Sequence, residues 1–265
     1  MLIDLYQIDA FTDRVFKGNP AAVCPLESWL PDSVLLKIAQ ENNLAETAYF
    51  VPLNSGHYHL RWFTPRIEMD LCGHATLASA FVIFNELNHR DNQVHFETKS
   101  GLLTVQLKEG YLEMDLPSRP GVKAELPTII QDSLTIQPLE VYKHRDYLLV
   151  YESEDQIRSL NPDQNKLNQI NLDPGGIIVS APGTTVDFVS RFFTPQAPIF
   201  EDPVTGSAHC TLTPYWSKRL HKTSLKAQQI SERTGDLNCQ LEGDRVLISG
   251  KAKKYLSGKI EIDVE

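Results

Sequence analysis

Cysteine is scarce and clustered positive charge scarcer, and each shortage removes a class of function. Four cysteines in 265 residues, Cys24, Cys72, Cys210 and Cys239, stand far apart with no Cys-x-x-Cys pair, which argues against a zinc ribbon or a disulfide framework. No His or Cys pair has metal-ligand spacing along the chain, so no metal is expected. The 25 Lys and Arg against 34 Asp and Glu give a net charge of −9, and the one basic cluster is the short run Lys251 to Lys254, so a nucleic-acid partner is not expected. Neither Gly-x-Gly-x-x-Gly nor Gly-Lys-Ser/Thr occurs, which argues against a bound nucleotide. No apolar run approaches membrane-spanning length, and Met1-Leu2-Ile3-Asp4 does not start a secretory leader; no membrane partner and a cytoplasmic location are expected.

What the chain does contain is one passage written twice. Arg61-Trp62-Phe63-Thr64-Pro65 precedes Asp70-Leu71-Cys72-Gly73-His74-Ala75, and Arg191-Phe192-Phe193-Thr194-Pro195 precedes Glu201-Asp202-Pro203-Val204-Thr205-Gly206-Ser207-Ala208. The offset is 130 residues at the aromatic strand and 133 at the small-residue turn, and nearly the same offset returns between Phe96-Glu97-Thr98-Lys99-Ser100-Gly101 and Ile230-Ser231-Glu232-Arg233-Thr234-Gly235. Repeats of this length are duplicated domains, not solenoid units. With 42% hydrophobic and 22% charged residues the chain can bury one or two cores, and the expected division is 1–118, a linker over 119–129, and 130–265.

Local patterns fill in each half. Leu2 to Phe11 alternates as a half-buried strand, and Ala21 to Cys24 forms a second after Gly18-Asn19-Pro20. Val34, Leu35, Ile38 and Ala39 share one face of a helix begun at Pro31-Asp32 and ended at Asn42-Asn43. The helix opened by Gly73 carries Ala75, Leu77, Ala78, Ala80, Phe81, Val82, Ile83 and Phe84, which leaves almost no polar face, so a sheet must curl around it. Strands follow near 94–97, 102–107 and 111–116; the second half repeats the plan, with a turn at Asp173-Pro174-Gly175-Gly176 and with Lys254 to Ile262 closing its sheet.

The repeated turns are where chemistry is expected. A helix N-terminus presents unpaired N–H groups and the positive end of its dipole, so Gly73-His74-Ala75 and Gly206-Ser207-Ala208 can each cradle an anion, and glycine lets a ligand approach. A lone glycine at a turn is more often only a turn.

Taken together, Gly18-Asn19-Pro20, Glu46-Thr47-Ala48, Asp70 through Thr76 and Glu201 through Ala208 resemble the PhzF (phenazine biosynthesis-like) family, and the similarity runs from the first strand to the last. The resemblance implies a diaminopimelate epimerase-like α+β fold: two similar domains related by a pseudo-twofold axis, each a curved, mostly antiparallel sheet around a central helix, with the active site between them. It implies a cofactor-independent isomerase that moves a proton on a small carboxylate, with Glu46 as acid/base and His74, Asp202 and Ser207 assisting. By the same resemblance Gly18, Asn19, Gly73, Ala75, Gly206 and Ser207 are substrate-binding positions, and a homodimer is implied.

Residue chemistry bears on these roles separately. A glutamate at the start of an apolar strand is expected to have its pKa raised by burial and so to shuttle a proton near neutral pH. The position equivalent to Glu46 in the second half is about Gly176, so only one such acid exists. His74 at a helix start is expected to be neutral, the dipole disfavouring its charge. Two-cysteine racemases of this fold need a Cys at both turns, but Thr205 stands where the second would be. A one-cysteine epimerase or dehydratase using Cys72 remains an alternative, as does a non-catalytic carboxylate-binding protein; with Leu71 beside it, Cys72 is read first as a small core residue.

Overall fold

The computed structural model describes every residue except 173, 174, 196, 198, 264 and 265; Asp173-Pro174 of the expected turn lie outside the described residues. In chain order the first half contains β1 (Leu2–Ala10), β2 (Asn19–Pro25), α1 (Asp32–Asn42), β3 (Glu46–Asn54), β4 (His57–Phe63), β5 (Glu68–Met69), α2 (Gly73–Asn85), β6 (Gln93–Thr98), β7 (Gly101–Lys108) and β8 (Tyr111–Pro117). The second contains β9 (Val122–Lys123), α3 (Thr128–Ser133), β10 (Glu140–Lys143), β11 (Tyr147–Val150), α4 (Glu154–Ser159), α5 (Gln164–Leu167), β12 (Ile177–Pro182), β13 (Phe188–Phe193), β14 (Glu201–Asp202), α6 (Gly206–Leu220), β15 (Ser224–Gln229), β16 (Gly235–Glu242), β17 (Arg245–Gly250) and β18 (Ala252–Glu261). The fold is α+β, built of two compact units: residues 1–115 with 249–265, and residues 116–248.

The first unit is a sheet ordered β18, β1, β2, β3, β4, β6, β7, β8, antiparallel except for the parallel pairs β2–β3 and β4–β6. α2 packs on β1, β2, β3 and β18, and every residue from His74 to Ala80 is buried. Its few hydroxyls cause no penalty there, because Thr76 Oγ1 donates to Cys72 O at 2.6 Å and Ser79 Oγ to Ala75 O at 2.8 Å, each satisfied within its own helix. Leu77, Val82 and Ile83 are wholly buried, about 1.5–3 kcal/mol of transfer free energy each. On the other face, α1 sets Leu35, Ile38 and Ala39 against Tyr49 and Phe63, as its spacing predicts, and Asn43 ends it in the left-handed conformation at φ 48°.

The second unit repeats the design, with parallel pairs β11–β12 and β13–β15 in otherwise antiparallel pairing. α3, α4 and α5 cover Leu149, Ile177, Val179 and Phe193 with Ile130, Ile157, Leu160 and Leu167. α6 carries Trp216, stacked on Phe188 with centroids 5.7 Å apart.

The end of the chain departs from the expected 130–265 boundary. β18 pairs with β1 from Leu2↔Glu261 to Ala10↔Ala252 and belongs to the first unit. Conversely, Val122–Lys123 of the expected 119–129 linker is β9, paired with β10. The chain's last strand thus completes the first unit, while β9 lies at the start of the second. The physical reason is that β1 and β10 each leave an edge of unpaired N–H and C=O groups, which any strand of adequate reach can satisfy.

The duplicated aromatic strand has a structural purpose. Arg61 grips Glu68 through Nε at 2.7 Å and Nη2 at 2.9 Å, and Arg191 grips Glu201 through the same two atoms, both at 2.8 Å. Thr64 N–H donates to Ile67 O at 2.9 Å and Thr194 N–H to Phe200 O at 2.8 Å, closing the turn in each copy. These fork-like pairs fix β5 and β14, from which the chain enters α2 and α6. The second copy has a longer turn between its Thr-Pro and its Glu, which accounts for the step in offset from 130 to 133.

Candidate active site

Within the first unit, three separate elements bring polar side chains to the head of α2. β2 begins at Asn19, β3 begins at Glu46, and the parallel register Ala21↔Glu46 sets these strand starts side by side. Gly18 makes the bend before Asn19: its φ is +66°, and a Cβ there would lie 2.1 Å from Ala10 O. Only glycine fits such a position. The space beside Gly18 is therefore filled by the protein's own backbone, and its evident contribution is to place Asn19.

His74, 5% exposed, is the centre of the cluster. Its Nε2 lies 3.2 Å from Glu46 Oε2, near enough for an ion pair, while neither atom has an aligned hydrogen bond. On the other side of the ring, Nδ1 is 3.2 Å from Asn19 Nδ2 and 3.6 Å from Cys72 Sγ. Glu46 is the most open member, with 16% of its side chain exposed. Gly73 and Ala75 flank His74 in the first turn of α2, whose N-cap, Cys72, caps none of its N–H groups. A helix start without a side-chain cap is a place where an anion can be received.

Three expectations are corrected here. Burial alone would depress the His74 pKa, but its contacts with Cys72 and Glu46 outweigh it and hold it well above the usual imidazole range. Because the Cys72 thiol is itself pushed up, by burial and then by Glu46, it stays protonated and the Glu46 carboxylate is the partner that matters. The shift of His74 is thus opposite to the one expected from the helix dipole, since a carboxylate at 3.2 Å acts more strongly than half a helix-dipole charge. Second, Cys72 is buried but not in an apolar setting; it touches His74, and the Cys72-x-His74 spacing at a helix start was the sequence signal for it. Third, the absence of ligand spacing along the chain does not hold in space: one ligand atom each of Glu46, Cys72 and His74 lies within 4.8 Å of the others.

In the second unit, Asp202, Gly206 and Ser207 gather at the head of α6. The Thr205 hydroxyl donates to Asp202 Oδ2, Gln229 Nε2 donates to Asp202 O at 2.7 Å, and Thr205 N–H donates to Gln229 Oε1 at 2.9 Å. Gln229, from β15, has no signature in sequence and was missed. Register aligns Thr47↔Phe63 with Ile177↔Phe193, so Gly176 is the counterpart of Glu46. A Cβ on Gly176 would meet Phe192 Cζ at 2.5 Å and Phe193 O at 2.8 Å, so this position admits no acid. His209 sits where Thr76 does in α2 and does the same work, its Nδ1–H donating to Thr205 O at 2.8 Å. Burial pushes its pKa down to about 4.

Comparison with known proteins agrees with this architecture. The phenazine biosynthesis-like protein family, PhzC-PhzF, matches residues 8–258. An uncharacterized isomerase of Pseudomonas aeruginosa is 47% identical over 262 residues, covering 99% of this chain and 100% of its own. The crystal structure of a PhzF-family phenazine biosynthesis protein from Enterococcus faecalis superposes with a TM-score of 0.95 at 46% identity, covering 99% of this chain and 100% of that one. A hydroxyproline epimerase from Agrobacterium vitis shares the fold at a TM-score of 0.60 and 9% identity, covering 98% of this chain and 92% of that one. Among the described residues, no helix is long and apolar enough to cross a membrane.

Proposed function

Because the chain belongs to the phenazine biosynthesis-like PhzC-PhzF family, we propose that it is an isomerase that moves a proton on a small carboxylate substrate, without a cofactor, using Glu46 as the shuttle. The observation that carries this reading is the Glu46–His74 pair, one carboxylate 3.2 Å from an imidazole whose charged form it favours, with glycine at the equivalent place in the second unit. The Glu46 carboxylate takes a proton from a substrate carbon, leaving the electron pair delocalised on the substrate. The same carboxyl then returns the proton to a different carbon. The positive charge of His74 stabilises the anion that forms between the two steps. Uncapped N–H groups at the head of α2 receive substrate oxygen, and Asn19 keeps the ring of His74 in place.

The contact between Cys72 and His74 favours a second reading, in which Cys72 handles the proton. Burial and the neighbouring carboxylate both oppose its thiolate, which makes it the weaker candidate. Deuterium incorporation in heavy water, followed by NMR over a panel of cyclic and amino-acid carboxylates, decides between them. Glu46→Gln keeps the shape of the side chain but cannot return a proton, so exchange should fall by roughly 10²- to 10⁴-fold with binding retained. Full exchange in Glu46→Gln with loss in Cys72→Ala would overturn the proposal.

A further inference from the structure

The inward face of β15 reads Leu225, Ala227, Gln229, so an amide occupies a place that the alternation gives to apolar residues, and it is only 1% exposed. Burying an amide is costly unless its hydrogen bonds are made, and this one makes three. Its orientation is fixed by its partners. Thr205 N–H can only donate, so the atom 2.9 Å from it is Oε1; Asp202 O can only accept, so the atom 2.7 Å from it is Nε2. The second hydrogen of Nε2 goes to Thr205 Oγ1 at 3.2 Å, and the hydrogen of that hydroxyl goes to Asp202 Oδ2. We propose that Gln229 is a positioning residue for Asp202: acting through Thr205, it makes Oδ2 a hydrogen-bond acceptor, so that the carboxylate is presented without a proton on that oxygen and in one orientation.

The duplicated scaffold separates this contact from general support of the loop. Ser100 Oγ donates to Asp70 O at 2.8 Å in the first unit and Ser231 Oγ to Pro203 O at 2.7 Å in the second, the same clamp on the chain entering α2 and α6. Gln229 is an addition to it. Counted from Arg61 and Arg191, the pair Tyr58↔Phe96 corresponds to Phe188↔Ala227, so Thr98 stands where Gln229 does. Thr98 Oγ1 donates to Gly101 O at 2.7 Å, exposed and within its own turn. The serine clamp that the fold uses occurs in both units, whereas the buried amide accompanies the unit that carries Asp202. The fixing of Asp202 does not depend on the reaction catalysed; its effect on turnover rests on the isomerase reading.

The test is NMR on the full chain with isotope-labelled Asp, Thr and Gln. In the wild type a coupling across the hydrogen bond is expected between the Thr205 amide nitrogen and Gln229 Cδ, and its absence would overturn the proposal whether or not any variant folds. Gln229→Met keeps the length of the side chain and removes all three hydrogen bonds, so Thr205 N–H should exchange about 10-fold faster or more. The Asp202 carboxyl carbon should then titrate at higher pH than in the wild type, because hydrogen bonds to a carboxylate favour its charged form. Thr205→Val, which breaks the chain of hydrogen bonds at the hydroxyl, should move that titration the same way; Thr205→Ser should leave it near the wild type, as should Gln240→Met on exposed β16. With any carboxylate found to exchange deuterium, Gln229→Met should lower kcat more than it raises KM, and an unchanged kcat would overturn the effect on turnover. A lower melting temperature for Gln229→Met with the Asp202 titration unmoved would mean that the amide only supports the loop, and would overturn the proposal. If no carboxylate exchanges, the isomerase reading fails, and the NMR results alone still decide the role of Gln229.

Discussion

Gly18 offers the sharpest test of how the head of α2 is assembled, and the substitution is Gly18→Ala. The backbone there has φ +66°, which an L side chain adopts at about 1–2 kcal/mol. A second contribution is steric. The added Cβ would lie 2.1 Å from Ala10 O and 2.8 Å from Thr12 Cγ2, whereas contacts under 3.0 Å essentially never occur, so Ala10 O must retreat by about 0.9 Å. It cannot do so freely, because Ala10 is paired on both sides, with Asn19 and with Ala252. Forcing such a shift costs a further 1–3 kcal/mol or so. The total, about 2–5 kcal/mol, corresponds to a fall in melting temperature of roughly 4–20 °C at 2–4 °C per kcal/mol. Gly110→Ala is the control in the same unit: its φ is +81° and nothing lies within 4 Å of an added Cβ, so only the backbone contribution applies. Differential scanning calorimetry and urea denaturation of both variants measure the difference. Gly18→Ala should also displace Asn19 and alter the His74 resonances, which Gly110→Ala should leave in place. Equal stabilities for the two variants would refute the claim that Ala10 dictates glycine at position 18.

Further outcomes follow from charge and packing. The His74 pKa is raised in the folded protein, so its ion pair contributes stability fully below the unfolded value of about 6.5, a contribution lost as pH rises through the folded pKa. In Glu46→Gln burial is unopposed by that carboxylate, and NMR titration should find His74 ionising at lower pH than in the wild type. His209 runs the other way: buried neutral with a pKa of about 4, it makes the native state lose roughly 3 kcal/mol as pH falls from about 6.5 to 4. His209→Gln should flatten that part of the stability profile, read by urea midpoints across pH. Arg61→Lys replaces a two-pronged contact to Glu68 by a single point charge and should lower stability by about 1–3 kcal/mol, measured by calorimetry; an unchanged melt would mean the fork contributes nothing.

The sequence by itself determined the features that depend on neighbours along the chain. Leu35, Ile38 and Ala39 lie on one helix face because 3.6 residues make a turn, and Gly73 and Gly206 open helices because small residues after an extended N-cap permit it. The duplication was legible because both copies must build the same hairpin, and the pairing of Glu46 with Gly176 follows from counting along equivalent strands. Tertiary structure decided the rest. Whether Lys254 to Ile262 would pair with its own half or with Leu2 to Ala10 depends on which sheet edge is free, and backbone hydrogen bonding carries no sequence label. The direction of the His74 shift is not legible from its helix position because the decisive neighbour, Glu46, arrives from another strand. Cys72 looked apolar beside Leu71 until folding set the imidazole against it. Electrostatic energy falls with distance in space, and the distance between residues from separate strands is fixed only when the sheet closes around α2.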